Sequence, residues 1–192
     1  MQKRLFISLP VDNNWKKILG GSLQSLTSSE WLRFTKSEDL HMTLFFLGNV
    51  DEELIPEIED ALSDIASIQN NFTLTLNKIC YAPEGERPNM IWAKLGDDMQ
   101  FKILAGRVRE ELTYILGSTE EPEQVAHITL ARFNKHTTTP KELDPLAPSL
   151  HVGKKIAVSE MKLIESKMTK TGSVLAEISS FTFGGGSGQT DH

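Results

Sequence analysis

A histidine, a spacer, a threonine and a leucine occur twice in this chain, as His41-Met42-Thr43-Leu44 and as His127-Ile128-Thr129-Leu130. Each copy sits in an apolar run and alternates with a period of two, the spacing of a β-strand whose successive side chains point to opposite faces. His41 and Thr43 therefore share one face, and Leu40, Met42 and Leu44 the other. His127 and Thr129 share a face in the same way. A chain with only five histidines has placed two of them in one local frame, one in each half. If the halves face each other, two imidazoles and two hydroxyls meet in a single cleft, so the fold must bring two distant strands together.

A lone histidine on a strand is ordinarily a surface or satisfied core residue; the repeated context separates these two from that background. Two histidines could also be metal ligands, but a zinc site wants a third and usually a fourth ligand at close spacing. The sole cysteine, Cys80, lies near neither histidine in sequence, and no H-E-x-x-H or C-x-x-C occurs. No metal and no cofactor are therefore expected. Paired histidines without a metal suit acid-base chemistry, one imidazole accepting a proton while the other donates.

At 192 residues and 39% hydrophobic, the chain can bury one sizeable core or two small lobes that share an interface. One cysteine excludes an internal disulfide, and the apolar stretch after Met1-Gln2-Lys3-Arg4 is too short for a signal peptide. No run approaches the length of a membrane span, so a cytoplasmic location is the default expectation. The net charge of -6 argues against tracking many phosphates along a duplex, which normally calls for a basic patch. The longest basic runs are pairs such as Lys16-Lys17 and Lys154-Lys155, ordinarily a solvated face. If such a chain handles nucleic acid, it is expected to grip an end or a small nucleotide.

Periodicity predicts a first strand from Leu5 to Leu9 closed by Pro10, then a helix from Asn13 to Leu26 weakened by Gly20-Gly21. A short strand begins near Trp31, and the first motif strand runs from Leu40 to Leu47, ended by Gly48-Asn49. Asp51 is a candidate N-cap for a helix to about Ile68, with Leu54, Ile58, Leu62 and Ile65 inward and Pro56 in its first turn. Strands follow over Phe72 to Tyr81 and Met90 to Leu95, separated by a polar loop. Phe101, Leu104, Val108, Leu112 and Ile115 mark a further helix, and the second motif strand covers Val125 to Ala131. A proline-rich loop from Thr139 to Pro148 precedes two last strands, about Lys155 to Met168 and Ser173 to Phe183.

The doubled motif, the opening Arg4-Leu5-Phe6-Ile7, the segment from Asp39 to Gly48, the Met90-Ile91-Trp92 strand, the run from Ala126 to Arg132 and the segment from Ser166 to Gly172 resemble the 2H phosphoesterase superfamily. Within it the chain is similar to the RNA 2',3'-cyclic phosphodiesterase family, also called the 2'-5' RNA ligase family. It departs from that pattern at Asn89, where the family often has arginine, and at Leu175, where an aromatic is usual. The resemblance implies an α+β, bilobal fold: two antiparallel sheets with outer helices, related by an internal pseudo-two-fold repeat, with a central cleft between the sheets. This agrees with the order of helices and strands read in each half. One domain is expected over residues 1–183, with a flexible glycine-rich tail over 184–192.

The resemblance also implies hydrolysis of a cyclic phosphodiester, with His41 as proton donor to the leaving 3' oxygen and His127 as the acceptor that activates water, leaving a 2'-phosphate. The motif itself does not tell donor from acceptor. Thr43 and Thr129 can offer hydroxyls to the non-bridging oxygens, although threonine is also an ordinary strand residue. Arg132 would supply fixed positive charge, yet strict alternation puts it on the face opposite His127, so its role requires a twist or bulge. Phe46, at the matching position of the first motif, could stack on a base; core packing is its ordinary role. The implied partners are RNA ends or small cyclic nucleotides, handled by a monomer without a membrane. The reverse reaction would join ends through a 2'-5' bond. Two other readings stay open, a nucleotide-binding module with little turnover and a hydrolase of another small cyclic phosphate.

Overall fold

A computed structural model describes residues 1–23, 29–85, 88–117, 125–134, 143, 146, 149, 151–169 and 172–185. The chain opens with β1 (Gln2–Pro10), buried continuously from Leu5 to Leu9. Helix α1 (Asn13–Gly21) starts where the Asp12 carboxylate accepts the Trp15 N–H at 2.9 Å, and it buries Trp15 and Leu19. It stops at Gly20-Gly21, where backbone entropy opposes helix, short of the expected end at Leu26, which lies outside the described residues. After β2 (Leu32–Phe34) comes β3 (His41–Asp51), which carries the first motif. The second helix, α2 (Ile55–Ile68), is entered through a tight turn at Glu52–Leu54 rather than through a side-chain cap on Asp51, and it buries Ile55, Ile58, Leu62, Ile65 and Ala66. Pro56 sits in its first turn, where a missing N–H costs nothing.

The second half supplies β4 (Phe72–Ala82), β5 (Met90–Gly96), α3 (Met99–Leu116) and β6 (His127–Phe133), the last bearing the second motif. It ends with β7 (Lys155–Val158), β8 (Glu160–Thr169) and β9 (Gly172–Thr182). The proline-rich loop expected before β7 falls almost wholly outside the described residues. Among those residues no helix is long and apolar enough to cross a membrane.

Nine strands among the described residues form one antiparallel sheet in the order β7-β4-β5-β6-β3-β1-β8-β9, with β2 added beside β6. The two separate sheets expected are thus not seen: the described strands make one sheet, which is narrowest where β3 and β6, among the described residues, pair only at Met42 and Ile128. Beyond that pair they part, and β2 takes the vacated side of β6 through Leu32↔Phe133, Arg33↔Arg132 and Phe34↔Ala131. At the far ends the sheet turns back toward itself. The single strand expected from Lys155 to Met168 breaks at Ser159, so that β7 pairs with β4 at one end and β8 with β1 and β9 at the other. Because Val158 and Glu160 stand two Cα steps apart, at most about 7.6 Å, these opposite ends must curl close together. Phe72 of β4 stacks on Phe183 beyond β9 at 6.3 Å between ring centroids, closing that corner.

One buried cluster runs through the molecule. It takes Met42 and Leu44 from β3, Ile128 and Leu130 from β6, and the inward residues of all three helices. Helices and core thus occupy one side of the motif strands, leaving His41, Thr43, His127 and Thr129 to the other. The expected tail is tied at its start: the N–H groups of Gly184 and Gly185 donate to Ala66 O and Gln69 O at 2.9 and 3.0 Å, satisfying carbonyls at the end of α2. A Cβ on Gly184 would meet Ser67 O at 2.7 Å, which is why glycine fits there. Residues 186–192 lie outside the described part.

Gly48 does not end the first motif strand. It lies within β3 at φ +73°, next to a register shift in which Leu5 faces Gly48 while Phe6 faces Phe46. An L side chain in that conformation is disfavoured by about 1 kcal/mol, and nothing stands within 4 Å of an added Cβ. Gly48→Ala should therefore lower the unfolding free energy by about 1 kcal/mol in urea titration. An unchanged midpoint would remove the conformational explanation.

Candidate active site

Both motif strands carry the same irregularity. On β3, Thr43 faces Ser8 and Phe45 faces Ile7, leaving Leu44 as an extra residue. On β6, Thr129 faces Trp92 and Ala131 faces Ile91, leaving Leu130 as the extra residue. Each H-x-T-L motif therefore ends in a β-bulge on its leucine, which resets the alternation by one position. Leu44 and Phe45 are both buried, as are Leu130 and Ala131. Phe46 and Arg132 consequently turn to the histidine face. The bulge that Arg132 requires is present, and Phe46 is 42% exposed on the cavity wall rather than part of the core.

His41, Thr43, Phe46, His127, Thr129 and Arg132, separated in sequence, line one open cavity of about 720 Å³. The Met42–Ile128 pair sits beneath it. Continuing that antiparallel register by one position in each direction sets His41 across from Thr129 and Thr43 across from His127, side chains on one face about 5 Å apart at the backbone. The two imidazoles are then diagonal neighbours over a buried apolar pair.

The rings are oriented alike. His41 Nδ1 lies 2.7 Å from Asp39 O, and His127 Nδ1 lies 2.7 Å from Val125 O, in each case the carbonyl two residues upstream. A carbonyl can only accept, so each Nδ1 carries the proton and each Nε2 is the free basic nitrogen of the neutral ring. Thr43 Oγ1 stands 3.3 Å from His41 Nε2, where its hydroxyl can donate. Aromatic rings brace both histidines: Phe6 lies 5.1 Å from His41, and Trp92 stacks on His127 at 3.8 Å with an interplanar angle of 22°. Met90 Sδ accepts from the Arg132 guanidinium at 3.0 Å.

Sequence reading did not find Phe6 and Trp92 as ring supports, nor Arg4, Arg33 and Lys36 in the cavity wall. Arg4, Arg33 and Lys36 are spread over β1, β2 and the following turn, and no spacing rule links them. Together with Arg132 they make the cavity basic, against the single carboxylate of Asp39 among its described lining. A molecule of net charge -6 thus gathers positive charge in one concave region, where a low-dielectric wall strengthens its field. Ser166, Met168, Ser173 and Leu175 close the side formed by β8 and β9. Among the described residues no group of three or more histidines, cysteines or carboxylates could hold a metal ion.

Burial lowers the pKa of both histidines below the ordinary value; the hydrogen bond to Asp39 O opposes this at His41, and the one to Val125 O at His127. The Arg132 and His41 charges lower His127 further. A depressed imidazole pKa favours the neutral ring in the folded state. The associated stability is complete above about pH 6.5, the unfolded value, and is lost as the pH falls from there through the folded pKa. In NMR titrations both rings should show midpoints below about 6.5 without anions, and inorganic phosphate should raise both by favouring the charged forms. Midpoints above the ordinary value in a phosphate-free buffer would contradict the burial argument.

The chain and its fold have similar counterparts among known proteins. The model of the LigT-like phosphoesterase family matches residues 20–92. An RNA 2',3'-cyclic phosphodiesterase of Archaeoglobus fulgidus is 25% identical over 178 residues, 93% of this chain and 99% of its own length. The enzyme of that name from Thermotoga maritima is 27% identical over 185 residues, 95% and 97% of the two chains. The fold is shared with a crystal structure from Thermus thermophilus at a TM-score of 0.82 and 24% identity, covering 95% of this chain and 98% of the other. By sequence match and fold together, the chain is similar to the LigT-like phosphoesterases.

Proposed function

We propose that this protein is an RNA 2',3'-cyclic phosphodiesterase that opens the cyclic phosphate at an RNA end to a 2'-phosphate by two-histidine acid-base catalysis. The observation that carries the reading is the matched pair of imidazoles, each fixed by an Nδ1–H bond to a carbonyl and each presenting Nε2 to one basic cavity. The names of the Archaeoglobus and Thermotoga relatives support the substrate class.

In this scheme a cyclic phosphate lies over the Met42–Ile128 pair. His127 Nε2 takes a proton from water as its oxygen bonds to phosphorus. The bond from phosphorus to the 3' oxygen breaks, and that oxygen takes the proton held on His41 Nε2. The products are a free 3' hydroxyl and a 2'-phosphate; exchange with solvent returns both rings to their starting states. The substrate anion favours the charged ring, which offsets the burial that favours neutral His41. Thr43 and Thr129 donate to the non-bridging oxygens, and Arg132 balances the charge that grows on them. Phe46 offers an exposed ring on which a base can stack. The same groups run backwards as 2'-5' ligation.

Along the strand path four strands fall on each side of the β3–β6 contact, the bulges fall on matched leucines, and the Nδ1 bonds match. These features support a pseudo-two-fold relation between the halves, with its axis between Met42 and Ile128. Residues 1–183 then act as one domain, working as a cytoplasmic monomer.

His41→Ala and His127→Ala should each lower turnover of a 2',3'-cyclic phosphate by about 10²- to 10⁴-fold, the scale for losing a general acid or base. Wild-type rates should follow a bell against pH whose limbs belong to the coupled pair. His127→Ala should erase the acidic limb and His41→Ala the alkaline one; the opposite outcome would exchange the roles. Full activity in either folded variant would end the two-histidine mechanism.

A further inference from the structure

The cavity holds more positive charge than one reacting phosphate requires. Arg33, the middle residue of β2, lies directly opposite Arg132 in the β2–β6 ladder, and like charges in that position repel and weaken a sheet. Burial and Arg33 both act to lower the Arg132 pKa. Lys36 continues the same wall just beyond β2, and both Arg33 and Lys36 are exposed. Among the described residues neither has a carboxylate within ion-pair distance, whereas Lys3, Lys78, Lys94 and Lys162 on other surfaces are all paired. A repulsive pair of arginines at the rim of a cavity is what a bound anion would relieve.

We propose that Arg33 and Lys36 form a second anion subsite, which takes the phosphoryl group on the 5' oxygen of the terminal nucleoside while Arg132 serves the reacting phosphate. The proposal rests on the phosphodiesterase reading above. In an RNA that ends in a 2',3'-cyclic phosphate, the next phosphate is attached to the 5' oxygen of that same nucleoside, so one ribose separates the two anions. Two arginines rooted about 5 Å apart can diverge to hold both, and a guanidinium suits phosphate geometry. The shared chemistry is a 5'-phosphoryl group, either an internucleotide diester or a free 5'-monophosphate.

Steady-state kinetics on three substrates test this: a nucleoside 2',3'-cyclic phosphate, its 5'-phosphorylated form, and a dinucleotide ending in the same cyclic phosphate. Wild-type kcat/KM should be about ten-fold or more higher on the two that carry a 5'-phosphoryl group. Arg33→Gln and Lys36→Ala should each remove most of that advantage while changing the plain substrate less than about two-fold. Loss on the dinucleotide alone assigns the subsite to an internucleotide diester; loss on both assigns it to any 5'-phosphoryl group. A phosphate contact also adds about 0.7 to the log-log salt slope, so the slope for the dinucleotide should flatten in the variants. No advantage in the wild type, an undiminished advantage in both variants, or equal loss on all three substrates would overturn the subsite. No turnover of any substrate by the wild type would instead overturn the phosphodiesterase reading on which it rests.

Discussion

The site depends on one backbone contact, the pairing of Met42 with Ile128. Among the described residues it is the only registered pair between β3 and β6, and it fixes the geometry of two motifs that the chain keeps far apart. Both residues are fully buried, so sliding either strand by one position would carry a histidine and a threonine into the core and two large apolar side chains into the cavity. The cost of such a slip is the loss of two buried side chains and the burial of two polar ones. That cost holds the imidazoles in place more firmly than any contact the rings make themselves. The narrowness of the junction matters as much. Because β3 and β6 part after one pair, β2 can enter beside β6 and bring Arg33 to the rim.

Two further constraints shape this frame into the candidate site. The bulges at Leu44 and Leu130 release Phe46 and Arg132 from the core side, giving the cavity an aromatic surface and a fixed cation. The Nδ1–H bonds to Asp39 O and Val125 O settle which nitrogen of each ring is available, and they come from the backbone immediately before each motif. Tautomer, orientation and position are therefore set locally, by the residues next to each histidine, while the distance between the rings is set globally by the sheet. Burial of the rings and the surrounding cations favour neutral histidines until an anion arrives. The basic cavity is thus suited to an anionic ligand.

The alternation of the two motif strands was legible because one face had to be apolar, and the inward residues of α2 and α3 followed from their helical period. What could not be read has common physical causes. A β-bulge leaves no required residue type behind, so Arg132 and Phe46 could be assigned to the cavity only once the registers were known. Gly48 looked like a strand terminator, since its left-handed conformation serves a bulge and a turn equally well. Ser159 by itself is a weak turn signal between apolar-alternating segments, yet the chain leaves one end of the sheet and joins the other there. The joining of the strands into one sheet through Met42 and Ile128, where two sheets were expected, is a tertiary fact with no local signature. Arg4, Arg33 and Lys36 belong to separate elements, and their convergence on one cavity depends on the curl of the whole sheet.

The central claim is that a single phosphate is held between two imidazoles, one delivering water and the other protonating the 3' oxygen. Its most direct test is to hydrolyse a 2',3'-cyclic nucleotide in heavy-oxygen water after exhaustive chelation and to follow the products by phosphorus NMR. The account predicts one product, the 2'-phosphate, carrying one solvent oxygen, formed at an undiminished rate without divalent ions. A mixture of 2'- and 3'-phosphates, or turnover that returns only when a divalent ion is added back, would contradict it.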